Sequence, residues 1–535
     1  MKHLSIVSAA LVASAVLTPT AAAQFARPDR VIVPTTTSQG SGFGRAIDVD
    51  GDRMLVGAPN ENYGALSSGV SYVFERDAIG AWQQVQQLTP NVGGFLLQVG
   101  HAVDLDGDRL VMSSRNGAGF VLVFERDTNG TWVEVATVLC PVFDQIGFGA
   151  GVALDGDRLV VCSQQNIFFG HGRLFVFERN VSGTWVHVAT ATTAVNSNVI
   201  GPALVLEGDR CAVGAPNAFG PPAAAGAVVV FERQSNGTWI EVAVAKAATP
   251  EASAYLGTSL DLSGDRLVAG APSFAAPNPP SPGAVHVFER QSNGQWLEVE
   301  VVQAATPELG ALFGSSIALE GEQLVVVSER SSIAASGAGA VHVFELGAAG
   351  QFEERAVLVR GDPQQNDYSG SGAGRSLVVA DGRAYVGAPF VSATPLGGVV
   401  DEYDLRGLLH GDSELSLSAG GSQDLLLRGP LSTAGDIYFV LGSASGTTPG
   451  IPLAPGVDLP LVFDAYTNLA LSLAIPVAGQ FGVLDASGSA NAAFNVPAGA
   501  SASFAGLVLH HAYVAIDLTT FDVFASNAAR VELVP

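Results

Sequence analysis

The chain has 535 residues with 63 Gly and 8% aromatics, and its 25 Lys and Arg against 50 Asp and Glu leave a net charge of −25. That length holds two to four domains, and the glycine-rich, turn-rich composition suits a β protein. The charge excludes a nucleic-acid partner and adhesion to anionic lipid, since both need a basic patch.

Residues 1–23 read as a signal peptide. Lys2 and His3 precede the apolar run LSIVSAALVASAVL, and small residues around Ala21 and Ala23 fit cleavage before Gln24. The expected localisation is export: extracellular, cell-surface or periplasmic. The run is short for a membrane span and no later stretch approaches ~20 apolar residues, so no transmembrane anchor is expected. Cys140, Cys162 and Cys211 are scattered over different repeats. An odd, dispersed set in an exported chain reads as small hydrophobes rather than a disulfide framework.

From residue 24 to 405 the chain repeats itself roughly every 50 residues. An apolar-Gly pair opens each copy, at Phe43-Gly44, Val99-Gly100, Phe148-Gly149, Ile200-Gly201, Leu256-Gly257, Phe313-Gly314 and Ala373-Gly374. Two alternating runs joined by an Asp-Gly or Ser-Gly turn follow, as in DLSGDRLVAGAP, then a third such as VHVFER, a turn such as SNG, and a fourth. Trp82, Trp132, Trp185, Trp239 and Trp296 share one register in the fourth run, with Phe352 in the sixth copy. A bulky ring repeated at one register is what stacked sheets require. Four strands per unit, seven times over, predicts a seven-bladed β-propeller. The seventh copy stops after its third strand, and residues 29–37 look like an unattached fourth, so the N-terminal strand is expected to close the last blade.

Phe43-Gly44 with Gly57-Ala58-Pro59, and Leu256-Gly257 with Gly270-Ala271-Pro272, resemble the FG-GAP repeat of the integrin α-subunit propeller and its bacterial exported relatives. The resemblance implies a propeller used for recognition of a protein or glycan at a cell surface or in the extracellular matrix. It implies no reaction, and the fold alone supplies no ligand. Calcium-binding blades of that family resemble D-x-[DN]-G-D-G-x-x-D. Here Asp48, Asp50 and Asp52, and likewise Asp104, Asp106 and Asp108, match the first three carboxylates, but Arg53 or Arg109 replaces the following glycine and the later acid is missing. Calcium takes 6–8 oxygens, so these are weak candidates and the turns are expected to be metal-free.

Whatever recurs in every copy is scaffold, and function is sought where copies differ. Loops joining strands two to three and four to one must share one face. They carry Tyr63, Phe95, Phe168, Phe169, His171, Phe219, Phe274 and Tyr368, the candidate ligand-binding residues, because aromatics on loops anchor interfaces. Zinc-protease, Cys-x-x-Cys, phosphate-loop and nucleophile-elbow patterns are all missing, so no catalytic residue and no cofactor is assigned. His286 and His342 share a strand position and read as repeat register. The alternative to a binding module is a secreted enzyme such as a glycan-acting hydrolase, with Glu61, Asp144 and Asp367 as loop carboxylates.

Residues 406–412 read as a linker. From 413 to 535 the repeat is gone while strand signals continue, NLALSLAIP among them, and seven or eight short strands suit a smaller antiparallel β-sandwich-like domain. His510 and His511 point to opposite faces if they lie on a strand.

Overall fold

In a computed structural model the described residues are 28–535, except 29, 37, 39, 78–79, 92–95, 143–145, 164–171, 194, 196, 198–199, 202, 219–221, 274–281, 348–349, 361–375, 391–396, 406–407, 411–412, 429–432, 434, 448–449, 455–456, 474, 486–487, 522 and 527. The expected signal peptide therefore lies outside them.

Blade 1 shows the plan of the repeat. Ala46–Asp50 and Arg53–Ala58 form a hairpin with Asp50 opposite Arg53, and Val70–Arg76 and Trp82–Leu88 add on in order. Gly51 closes the hairpin at a φ of 53°, a conformation that costs other residues a Cβ clash. Five further sheets of four strands repeat this order, and the seventh holds Leu377–Ala380, Arg383–Ala388 and Val399–Asp404. Its outer strand comes from the other end of the chain. Arg30–Ile32 pairs antiparallel with Val399–Asp404, placing Arg30 opposite Glu402 and Ile32 opposite Val400. The paired segment is three residues, because Pro34 and the residues after it turn away to meet blade 1. There Tyr72 donates its hydroxyl to the Thr36 carbonyl at 2.9 Å and Thr35 donates its amide to Gln84 at 2.8 Å. Each innermost strand lies against the next, and the seventh against the first, so the ring is complete.

Why the repeat needs two glycines is visible at the seams. The Gly of one blade's Gly-Ala-Pro faces the Gly of the next blade's apolar-Gly pair. A Cβ on Gly57 would stand 2.1 Å from the Gly100 carbonyl oxygen, one on Gly214 2.0 Å from Gly257, and one on Gly387 1.8 Å from Gly44. Blades thus approach backbone to backbone. In blade 2 Ser113 takes the position, and its hydroxyl donates to the Gly149 carbonyl at 2.8 Å. The aromatic half of the pair fills the space beside this contact, with Phe43 and Phe148 fully buried. Burying such a side chain contributes about 1.5–3 kcal/mol.

At the hairpin end a second set of residues latches the ring. Arg53 Nη1 donates to the Gly107 carbonyl of the next blade at 2.6 Å and pairs with Asp108 at 2.9 Å. Arg109 repeats this with Gly156 and Asp157, and Arg158 with Gly208 and Asp209. In the reverse direction Arg126 reaches Glu75 at 2.9 Å, and Arg179 reaches Glu125 at 2.6 Å. Arg76 carries the latch over the closure to Glu402 of blade 7 at 2.9 Å. The tryptophans belong to the same system. Arg53 lies over Trp132, Arg158 over Trp239 and Arg210 over Trp296, each an indole of the next blade.

From Leu408 onward the strands build a different unit. One sheet holds Leu408–His410, Gly421–Arg428, Ser489–Val496 and Val477–Ala478. The other holds Ser413–Ser416, Ala529–Val534, Val508–Ile516, Ile437–Ser443 and Phe481–Val483, with Val523–Ala525 attached. Leu425, Leu427, Phe494, Val440, Tyr513 and Val531 from both sheets meet in one core. Three expectations need correction. Leu408–His410, inside the stretch read as linker, pairs with Leu426–Arg428. Ser413–Ser416 runs parallel to Val531–Val534, so the sandwich is not wholly antiparallel. NLALSLAIP is not a strand, because Ala465–Leu471 is a helix. Asp464 caps it by accepting the Thr467 amide while Thr467 bonds back to the Asp464 amide, and this reciprocal cap outweighs the β reading of an apolar run. His511 is fully buried, between Tyr466 at 2.9 Å and Gln423 at 3.0 Å, and burial pushes its pKa down to about 3.

Candidate functional site

The carboxylates weighed for calcium are spent on the scaffold. Asp48 accepts the Leu105 amide of the next blade at 2.7 Å and the adjacent Val49 amide at 2.9 Å. Asp104 does the same with Leu154 and Leu105, and Asp261 with Leu319 and Leu262. One turn further, Asp50 accepts the Gly107 amide and Asp106 the Gly156 amide. Asp108 is held by Arg53, and Asp52 is exposed at the turn. Innermost strands of adjacent blades cannot form a continuous backbone ladder, so these side chains supply the missing acceptors. Their oxygens point at amides, not at a common centre, and do not fit a calcium cage. Among the described residues no three His, Cys, Asp or Glu gather at metal-binding distance. Burial raises the pKa of Asp48, and burial together with the Asp48 charge raises that of Asp104.

The opposite face, where strands two to three and four to one connect, carries a main-chain clasp at two of its described seams. At the seam of blades 1 and 2 the loop after Pro59 meets the loop entering blade 2. The Leu96 amide donates to the Leu66 carbonyl, Gln98 to Ser67 and Val99 to Ser68, at 2.9–3.0 Å. The seam of blades 4 and 5 repeats this with Ser253 to Ala223, Tyr255 to Ala224 and Leu256 to Ala225. The geometry forces three residues into the left-handed region. They are Ser67, Leu96 and Gln98 at one seam and Ala224, Ser253 and Tyr255 at the other, with φ of 47–60°. Elsewhere glycine takes the same positions, such as Gly42 before Phe43 and Gly147 before Phe148. A left-handed non-glycine residue costs about 1–2 kcal/mol, so keeping Leu96 and Gln98 retains side chains against a local penalty.

Those side chains reach solvent. Tyr63, Leu66 and Leu96 are 51%, 59% and 53% exposed, a cluster of large apolar groups on one hydrogen-bonded platform. Gln98 bonds to Asn60 at 3.2 Å and Asn116 to Gln98 at 3.1 Å, framing the apolar groups with amides. Ser68 fixes the loop by accepting the Tyr63 amide and donating to the Tyr63 carbonyl. The same face also exposes Ile146, Leu309 and Phe390.

Of the expected ligand-binding residues, Tyr63 is placed on this platform. Phe95, Phe168, Phe169, His171, Phe219, Phe274 and Tyr368 lie outside the described residues, as do Asp144 and Asp367. Glu61 is not a loop carboxylate open to substrate. It is 6% exposed and accepts the Ser38 amide at 3.0 Å, helping to hold the N-terminal segment. Leu66, Leu96 and Gln98 are not aromatic, so residue type alone does not single them out in the sequence. The usable signal was Gly-Phe-Gly in copies 1 and 3 against Gln98-Val99-Gly100, Tyr255-Leu256-Gly257 and Leu312-Phe313-Gly314 elsewhere. Asn180-Val181-Ser182 and Asn236-Gly237-Thr238 match the glycosylation sequon. Asn180 and Asn236 use their side-chain oxygens to accept the Ser182 and Thr238 amides, so both are turn-forming residues.

Residues 30–74, the closing strand and the first three strands of blade 1, match the family model of the FG-GAP repeat. The chain is a β-propeller that carries an FG-GAP repeat match in its first blade. Among solved structures, the chain is similar to Sqt1 from Chaetomium thermophilum, with 13% identity over 71% of this chain and 85% of that one and a TM-score of 0.39. It is also similar to the β-propeller domain of the Trilobed protease from Pyrococcus furiosus, with 11% identity, 61% and 90% coverage and a TM-score of 0.33. A mutant of Aleuria aurantia lectin in complex with α-methyl-L-fucoside shares 15% identity over 48% of this chain and 74% of that one, with a TM-score of 0.29. No curated protein sequence matches the chain. Its blade count rests on the hydrogen-bonded sheets rather than on these likenesses. Among the described residues no helix is long and apolar enough to cross a membrane.

Proposed function

We propose that this is an exported, non-catalytic recognition or adhesion protein that binds a protein or glycan through the variable-loop face. The observation that carries the reading is the seam of blades 1 and 2, where Leu96 and Gln98 occupy backbone positions that glycine fills in sister copies. Strain is kept in a fold when the side chain it presents is used. An exposed apolar cluster framed by amides is the composition of an interface centre, and the hydrogen-bonded loops present it with little ordering cost on binding. The acidic surface keeps such a patch soluble and favours partners that are not strongly acidic.

The test is an array of cell-surface proteins and glycans probed with the full chain. A variant with Tyr63, Leu66 and Leu96 all changed to Ser should lose capture while its thermal unfolding stays within a few degrees of the parent. Capture unchanged in that variant would remove this seam as the binding site, and the class of the captured probe separates a protein partner from a glycan.

A further inference from the structure

Two arginines on the loop face break both the repeat and the charge pattern. Arg45 follows Gly44 and leads into the innermost strand of blade 1, Ala46–Asp50. Copies 2 to 6 carry no arginine at that place, and Arg375 in copy 7 lies outside the described residues. Arg115 follows the second strand of blade 2, Arg109–Ser114. Copies 1, 4, 5 and 7 have the proline of Gly-Ala-Pro there, and copy 6 has Glu329. Both arginines are half-buried.

A line of amides ties the two segments together. Asn60 donates its backbone amide to the Ser41 carbonyl at 2.8 Å, in the loop that leads to Arg45. Gln98 bonds Asn60 at 3.2 Å, and Asn116, next to Arg115, bonds Gln98 at 3.1 Å. Burial first, then the Arg115 charge, lowers the Arg45 pKa, with the Glu329 charge of blade 6 acting against them. Burial lowers that of Arg115 as well. Blade 7 separates blade 6 from blade 1 in the ring, so a side chain within range of both blade 2 and blade 6 lies over the axial opening. Among the described residues neither guanidinium has a hydrogen bond or an ion pair. At the hairpin end, by contrast, Arg53, Arg76, Arg109 and Arg158 are all held by carboxylates. In a chain with 50 acids to 25 bases, two half-buried cations left side by side are costly, and an oxyanion between them removes the cost.

We propose that Arg45 and Arg115 hold the carboxylate of a uronic-acid unit in a glycan, at the axial opening of the loop face. This rests on the reading of that face as a recognition surface and names the chemistry of its partner. The edge of a guanidinium matches the two oxygens of a carboxylate. Asn60, Gln98 and Asn116 keep donors and acceptors beyond the bonds they share, which suits sugar hydroxyls, since these both give and take hydrogen bonds. Tyr63, exposed on the same platform, offers a ring to the apolar side of a pyranose. Arg45, Arg115 and Glu329 together carry one net positive charge. One carboxylate is therefore matched, whereas a run of them meets the acidic surface around it.

The test is calorimetric titration of the full chain with a trisaccharide containing a single glucuronate, with its carboxyl-reduced neutral form, and with a glutamate-containing peptide amide. The glucuronate trisaccharide should bind, and the neutral form should bind at least about 10-fold more weakly. Arg45→Gln and Arg115→Gln should each lose about 10-fold in affinity, whereas Arg53→Gln at the hairpin end changes nothing. Both loop-face variants should unfold at or above the wild-type midpoint, because each removes a repelling charge, and this separates lost binding from a lost fold. No binding of the glucuronate trisaccharide at millimolar concentration, or equal affinity for the neutral form, overturns the proposal. Peptide bound as tightly as the trisaccharide overturns the assignment to a sugar. Array capture that survives Arg45→Gln and Arg115→Gln but not the Tyr63, Leu66 and Leu96 replacements overturns this site alone and keeps the recognition surface.

Discussion

The two ends of the propeller handle the same seams differently. At the hairpin end, blades 1 to 4 each offer an arginine to the turn and the acid of the next, and the inner strands of blades 1 to 6 each lend a carboxylate to their neighbour's amides. At the loop end the seams of blades 1 and 2 and of blades 4 and 5 are closed by a run of main-chain bonds, to which Gln98, Ser114 and Asn116 add side-chain bonds at the first, and the side chains at those positions change from copy to copy. When the backbone carries a contact by itself, the side chains above it are free to vary. That freedom suits the loop end to the recognition role proposed above, while the repeated Asp, Arg and Trp residues of the other end are tied down.

The sharpest break in this contrast is expected at the closure. Glu402 is 2% exposed and bonds Arg76 of blade 1 at 2.9 Å and Arg383 of its own blade at 3.3 Å. Glu402→Ala leaves two guanidinium groups facing each other in a partly buried site, and the denaturant midpoint should fall by the equivalent of about 3 kcal/mol. The same test on Glu61→Gln would show how much the N-terminal segment depends on its own anchor.

Next in size is the glycine contact. Gly57→Ala puts a methyl group 2.1 Å from the Gly100 carbonyl oxygen, so the seam must open. A loss of about 1–3 kcal/mol is expected in chemical unfolding. An unchanged midpoint would mean that blades slide past each other more easily than a backbone contact allows.

The inner carboxylates predict a pH effect of opposite sign to that of a salt bridge. Burial raises the Asp261 pKa to about 6, above its value in the unfolded chain, despite the two amides it accepts. The folded state then holds the proton more tightly than the unfolded state. Stability from this group is complete below about pH 4 and declines as pH rises through about 6, by on the order of 1–2 kcal/mol after allowance for solvent screening. Asp261→Asn should flatten that window in a pH series of unfolding midpoints. A series for wild type that rises between pH 4 and 6 would show that other carboxylates dominate.

The loop end should respond in the other direction. Leu96→Gly and Gln98→Gly relieve left-handed strain of about 1–2 kcal/mol but add chain entropy of about 0.5–1 kcal/mol, so each should stabilise the fold by about 0–1.5 kcal/mol. Partner capture should weaken at the same time. At the bottom of the scale, Arg53→Ala removes a partly exposed latch and should cost about 0–1 kcal/mol. A loss several times larger would mean that the latch ring acts cooperatively.

Much of the architecture was legible in residue order. Seven copies of one pattern, each with two turn signals and four alternating runs, determine the blade count, because a four-stranded sheet this small cannot bury both faces alone. The missing fourth strand of the last copy and the extra one before the first pointed to closure in the same way. The helix at Ala465–Leu471 was hidden because a short apolar run has no clear period, and its cap, Asp464 with Thr467, is a weak signal among many polar residues.

Other features were decided by the tertiary structure. A sequence records that Asp48 precedes a turn, but not that its lone pairs meet an amide 57 residues later, because that pairing exists only once the blades are stacked. Strain at Leu96 and Gln98 is a property of backbone angles imposed by the neighbouring blade. The hydrogen bonds linking Ser328, His342 and Glu354 join three strands whose residues are 14 and 12 positions apart, and pairing across the sheet alone brings them into line. Local pattern determined which strands form and how often. The closing of the ring decided which side chains became structure and which were left to act.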